Sequence, residues 1–197
     1  TQDLTITKAV DGEDSSAHAL NVGDITYTFE VSAAEGVNAQ GDYKIAGSET
    51  GKVNFNSNGK AEVKIVGTNS ITIKDLPVGK YTVTETGRSA EPTGYEFDSS
   101  TVTTGEAILT SADAGRVTIT NKYKIKTFDV TVVKEVTGNM GDTNKEFAFN
   151  HGNDPEFYLK DKGTEVFTGV KYGTKFTVSE NDYSDDGYTT SYKVDNG

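Results

Sequence analysis

Residues 3–12 read Asp3-Leu4-Thr5-Ile6-Thr7-Lys8-Ala9-Val10-Asp11-Gly12, and residues 129–138 read Asp129-Val130-Thr131-Val132-Val133-Lys134-Glu135-Val136-Thr137-Gly138. In an extended chain successive side chains point to opposite faces, so residues two apart share one. Leu4, Ile6 and Val10 therefore lie on one face, with Thr5, Thr7 and Ala9 on the other. Val130, Val132 and Val136 repeat the pattern. Alternating β-branched residues are strand chemistry. The return of the same opening strand far along the chain predicts two copies of one domain.

Other stretches repeat in the same order. Lys80-Tyr81-Thr82-Val83-Thr84-Glu85 is matched by Lys175-Phe176-Thr177-Val178-Ser179-Glu180, and Gly94-Tyr95 by Gly187-Tyr188. The boundary is expected between Lys124 and Thr127, giving domains of residues 1–125 and 126–197. No Pro/Gly linker separates them, so one strand is expected to run almost directly into the next domain. The closing strand of the first copy, Val117-Thr118-Ile119-Thr120-Asn121, has no counterpart among the 17 residues after Glu180. The second domain is therefore expected to be incomplete, lacking its last strand. The chain starts directly at a strand, as a processed or trimmed form would.

Further strands are expected at 25–31, 52–56, 60–66, 70–74, 80–86, 101–103 and 116–123, punctuated by Gly, Asn, Asp and Ser. Asn58-Gly59 signals a type I′ hairpin turn. Residues 13–20 could form one short helical turn, and no segment sustains a helical period. Many short strands between turns predict an all-β chain of sandwiches.

Composition narrows the function. The 197 residues include 21 glycines, three prolines, no cysteine and no tryptophan; 34% are hydrophobic and 10% aromatic. Disulfides and thiolate metal sites are excluded, and no apolar run approaches the roughly 20 residues of a membrane helix. Lys and Arg number 19 against 30 Asp and Glu, a net charge of −11. That balance argues against nucleic acid, whose phosphates require a basic stripe.

Three polar residues take the apolar face of their strands. Lys8 is in phase with Leu4, Ile6 and Val10. Glu85 is in phase with Tyr81 and Val83, and Asn121 with Val117, Ile119 and Tyr123. Lys134 and Glu180 repeat the first two. Isolated buried charges are costly, and one such residue alone would read as a frayed strand end or an ordinary ion pair. Three together suggest chemistry. A lysine in a dry core loses the solvation that favours its ammonium form, and a buried carboxyl favours its neutral form. A neutral Lys8 amine could attack the Asn121 carboxamide while a protonated Glu85 polarises its carbonyl and passes protons to the leaving ammonia. Folding supplies the proximity, once per molecule.

These residues resemble the Gram-positive surface domains of the CnaB and FctA-pilin type. The likeness is carried by Leu4-Thr5-Ile6-Thr7-Lys8, by Leu76-Pro77-Val78-Gly79-Lys80-Tyr81-Thr82-Val83-Thr84-Glu85-Thr86, by Gly94-Tyr95, and by Val117-Thr118-Ile119-Thr120-Asn121-Lys122-Tyr123. It implies two tandem immunoglobulin-like sandwiches of the reverse-Ig, CnaB type, with a Lys8–Asn121 isopeptide crosslink promoted by Glu85. Lys134 and Glu180 match in the second domain, where Ser179-Glu180-Asn181-Asp182-Tyr183 and Gly187-Tyr188-Thr189-Thr190 are similar to FctA-type pilins. No Asn occupies the closing-strand position there, Asn196 being a poor substitute, so Lys134 is expected to remain unlinked within this chain. The missing strand would be cut off, lie further along a longer chain, or come from a neighbour by β-augmentation. A crosslink from residue 8 to residue 121 closes a loop worth about 4–5 kcal/mol if it acts as a disulfide does.

The resemblance implies a structural subunit or stalk fragment of an extracellular, wall-anchored pilus or adhesin, not an enzyme. Its partners would be other pilin subunits, joined by sortase or by a complementing strand. The alternatives are an adhesin module binding a host matrix protein or glycan, and an accessory domain of a carbohydrate-active enzyme. A Leu-Pro-x-Thr-Gly sortase signal is absent from this sequence. No cofactor or metal is expected: the clusters Asp11/Glu13/Asp14 and Asp182/Asp185/Asp186 lack EF-hand spacing, and His18 and His151 are expected on the surface without ligand neighbours. No P-loop or dinucleotide motif occurs, and no His is placed for a hydrolase triad. Tyr43, Tyr183 and Tyr192 are candidates for an exposed contact surface.

Overall fold

The computed structural model describes residues 1–13, 18–99 and 101–195. It is all-β, in two compact units, Thr1–Lys126 and Thr127–Gly197. Residues 14–17, which carry most of the expected helical turn at 13–20 and Asp14 of the first acidic cluster, lie outside the described residues, as does Asn196.

Among its described residues the first unit has ten strands: β1 Gln2–Gly12, β2 Thr26–Ala33, β3 Gly41–Lys44, β4 Lys52–Phe55, β5 Lys60–Val66, β6 Ser70–Leu76, β7 Gly79–Arg88, β8 Tyr95–Phe97, β9 Thr104–Leu109 and β10 Gly115–Ile125. They form sheets ordered β6-β1-β10-β8 and β5-β2-β7-β9, with β3-β4 as a separate hairpin. The first and last strands lie side by side in parallel, Leu4 opposite Gly115 through Gly12 opposite Tyr123. Every other ladder of the unit is antiparallel. Strict alternation on β1, β2, β5, β7 and β10 sends Leu4, Ile6, Phe29, Val31, Val63, Ile65, Val83, Val117 and Ile119 into one buried core.

The second unit contains β11 Thr127–Val133, β12 Phe147–Asn150, β13 Phe157–Leu159, β14 Thr164–Lys171 and β15 Ser179–Glu180, with a 3₁₀ turn at Ser184–Asp186. Its sheets are β11-β14 and β13-β12-β15. The pairings repeat those of the first unit. β11 takes β14 as β1 takes β6, and β12 lies between β13 and β15 as β2 lies between β5 and β7. Register agrees as well: Phe29 stands opposite Glu85, and Phe149 stands opposite Glu180. Phe147, Phe149 and Leu159 form the buried core, flanked by Val132, Val136, Phe157, Val178, Tyr183 and Tyr188. Among the described residues β11 pairs on one side only.

Several local expectations are corrected. Asn58-Gly59 does not make a type I′ turn, which needs positive φ at both central residues. Only Gly59 has it (φ 69°), and the Asn56 side-chain oxygen accepts from the Asn58 and Lys60 amides, holding an Asx-type turn instead. The flanking strands join different sheets, β4 with β3 and β5 with β2. The strand expected at 101–103 begins at Thr104. In the second unit only Ser179–Glu180 of the stretch 175–180 is strand.

Candidate crosslinking site

The three out-of-place polar residues meet between the two sheets of the first unit. β1 brings Lys8 and β10 brings Asn121 from one sheet; β7 brings Glu85 from the other. All three are buried, with 1%, 0% and 7% of their surface exposed. Glu85 uses both carboxyl oxygens. Oε1 accepts a hydrogen bond from Asn121 Nδ2 (2.8 Å), and Oε2 lies 3.2 Å from Lys8 Nζ. Lys8 Nζ donates to the Ile119 carbonyl (3.3 Å), and its approach to Glu85 lacks hydrogen-bond alignment. Among the described residues Asn121 Oδ1 and Glu85 Oε2 have no hydrogen-bond partner. Buried polar atoms are seldom left so, and at this place the two belong to the atoms a Lys-to-Asn transfer would use.

Electrostatics favours the reactive form of the amine. Burial pushes Lys8 below its ordinary value of 10.5; Glu85 pulls part of the way back, and the Arg88 charge adds to the fall. An amide flip of Asn121 would place its carbonyl oxygen against Glu85 Oε1, since the two orientations of a carboxamide occupy the same space.

An aromatic floor completes the site and was not read from the sequence. Lys8 Nζ lies 4.6 Å from the centre of the Tyr27 ring, and the Tyr27 hydroxyl meets that of Tyr123 at 3.3 Å. The second unit repeats the floor with Phe147, 4.1 Å from Lys134 Nζ. The signal was present as aromatic-x-aromatic, Tyr27-Thr28-Phe29 and Phe147-Ala148-Phe149, each between the lysine strand and the glutamate strand. Lys134 Nζ donates to Glu180 Oε1 at 2.6 Å, with side-chain exposures of 13% and 5%. The second site is thus more open than the first, and among the described residues no Asn joins it.

The remaining candidates are elsewhere. His18 is half-buried, its Nε2 3.0 Å from the Thr93 carbonyl. His151 is not a free surface residue either. Its ring stacks on Phe176 at 4.0 Å and Nδ1–H donates to the Thr177 carbonyl, because an imidazole buries its faces where aromatics are available. Tyr183 packs edge-on to Phe147 and Tyr43 edge-on to Phe55, leaving Tyr192 as the exposed member of the three tyrosines. Among the described residues no cluster of His, Asp and Glu could hold a metal, and no helix is long and apolar enough to cross a membrane.

The family model described as "Domain of unknown function (DUF7601)" matches residues 2–123 and 150–197. No curated protein sequence matches the chain. Similar solved structures include Gram-positive pilins and pilus adhesins. The pilus-presented adhesin Cpa is 21% identical over 64% of this chain with a TM-score of 0.39, and the chain spans only 27% of that protein's length. The major pilin from Streptococcus pyogenes is 21% identical over 94% of this chain and 84% of its own, at a TM-score of 0.36. The Bacillus anthracis TIE protein is 22% identical over 98% of this chain and 30% of its own, at 0.37.

Proposed function

We propose that this chain, which belongs to the DUF7601 family, is a structural piece of a Gram-positive surface fibre whose first unit is closed by an amide that the protein forms itself. The observation that carries this reading is the single Glu85 carboxyl lying against both the Lys8 amine and the Asn121 carboxamide in a core closed to water. Lys8 transfers a proton to Glu85. The neutral Nζ attacks Asn121 Cγ while the Glu85 carboxyl hydrogen-bonds the carbonyl oxygen. The Cγ–Nδ2 bond breaks and Nδ2 leaves as ammonia, taking the proton that Glu85 holds while Glu85 takes the second proton from Nζ. No external reagent is needed and the site acts once.

The bond would join neighbouring parallel strands β1 and β10, the first and last of the unit. Tension entering near Lys8 and leaving near Asn121 would then pass through a covalent link instead of through the ladder between them. That suits an extracellular stalk built without cysteine. In the second unit Lys134 and Glu180 supply the same amine and acid. The matching carboxamide would arrive on a strand laid along the edge of β11 not covered by β14, from further along the polypeptide or from a neighbouring subunit.

Intact mass spectrometry under denaturing conditions tests the reading. The expected mass is short by one ammonia, with Lys8 and Asn121 in one branched peptide after digestion. Glu85→Ala, Lys8→Ala and Asn121→Ala should each restore the full mass. A full-mass wild-type chain would overturn it.

A further inference from the structure

The β2–β7 ladder slips by one residue beside the site. Phe29 stands opposite Glu85, but the next residue back, Thr28, stands opposite Gly87, leaving Thr86 as the extra residue of a bulge. The Thr86 hydroxyl pins it by donating to the Thr28 carbonyl (3.3 Å). A regular pleat would send Arg88 outward, since it is an odd number of positions from the inward Glu85. The bulge reverses the phase and sets Arg88 opposite Tyr27, on the inner side. Bulges beside functional sites commonly re-aim a side chain in this way.

Arg88 then sits between the site and solvent, its side chain 24% exposed. The guanidinium lies over the Phe97 ring at 3.9 Å, and Phe97 packs edge-on to Tyr123. Tyr123 in turn meets the Tyr27 hydroxyl beneath Lys8. Glu91 holds the outer side, accepting from Arg88 Nε at 2.7 Å with Nη2 at 2.5 Å from the same oxygen.

We propose that Arg88, turned inward by the bulge at Thr86, is a positioning residue for amide formation: with Phe97, Tyr123 and Tyr27 it plugs the end of the site against water. This rests on the amide-forming reading above. Among the described residues the titratable groups that face the Lys8 amine are Glu85 from β7, Tyr27 from β2 and, through Tyr27, Tyr123 from β10, beside the Ile119 carbonyl that accepts from it. On the β6 side the Asn69 carbonyl accepts from the Lys8 backbone N–H at 2.9 Å. The Arg88 charge adds to the fall that burial causes at Lys8, and Glu91 is its counter-charge.

The test follows ammonia loss in the full chain, made in a short cell-free pulse and quenched in denaturant at intervals, between pH 5 and 9. Arg88→Gln should slow the loss at neutral pH by about three- to tenfold and move the rise of rate to higher pH; Arg88→Lys should recover most of the rate. Glu91→Gln removes only the exposed counter-charge and should move the rise to lower pH, a direction that mere loosening of the fold would not produce. Should Arg88→Gln fail to fold, the Glu91→Gln profile decides alone. Wild-type rate and profile in both variants would overturn the role of Arg88 while leaving the amide in place. A wild-type chain that never loses ammonia would instead overturn the reading on which it rests.

Discussion

Lys134 Nζ stands 4.1 Å above the centre of the Phe147 ring, as Lys8 Nζ stands 4.6 Å above that of Tyr27. Each amine also faces the glutamate of a strand next to the aromatic one, so the same three-part arrangement is built twice from different residues. The two sites differ in what completes them, and that difference sets the expectations below.

Removing Asn121 should loosen the first unit without dismantling its packing. Asn121→Ala deletes the acceptor of the proposed amide, and the unfolded chain regains the freedom of the large loop. A loss of about 4–5 kcal/mol is expected by analogy with disulfides, read from denaturant midpoints of the variant and wild type. A change below about 1 kcal/mol would count against a crosslink in the wild type, since it is smaller than loop closure alone provides.

Lys134 should stay a free amine. Amine-reactive labelling of the native chain, followed by peptide mapping, should find Lys134 modified more slowly than the exposed Lys162 and Lys193, and Lys8 not modified at all. Glu180→Ala should expose the cost of a half-buried ammonium left without its acid, about 2–3 kcal/mol, with Lys134 labelling faster. A mass short by two ammonias would contradict the single-crosslink expectation.

Alkaline pH should weaken the first unit through its phenols. Burial pushes Tyr81 up to about 12, with the neighbouring Tyr43 adding to the rise, and burial raises Tyr27 as well. A raised folded value means the unfolded chain releases the phenolic proton first. The stabilisation is therefore whole below the ordinary value of 10 and is lost as pH climbs toward 12. Tyr81→Phe should flatten the stability curve in that window, measured by denaturant melts at pH 9 to 12; an unchanged slope would sink the assignment.

Gly115 opens β10 in close contact with the core. A Cβ there would meet Leu109 Cδ1 at 2.4 Å, Ala107 Cβ at 3.1 Å and Leu4 Cδ1 at 3.1 Å. Gly115→Ala should cost about 1–3 kcal/mol by overpacking, seen as a lower thermal midpoint. Its distance along β10 from Asn121 should leave ammonia loss complete, which separates packing from chemistry.

Period-two alternation placed Lys8, Glu85 and Asn121 on the core face of their strands, because the pleat fixes which side each residue takes whatever the partner strand is. It also displayed the repeat of Lys134 and Glu180, and hence the all-β character. Alternation carries no record of which strands lie together, since those contacts are non-local. Only the tertiary structure set β10 parallel beside β1, put β4 and β5 in different sheets, laid Tyr27 and Phe147 beneath the two amines, and packed His151 and Tyr183 against aromatic rings. Arg88 marks the limit most sharply: its own strand points it outward, and one extra residue at Thr86, legible only against β2, turns it in.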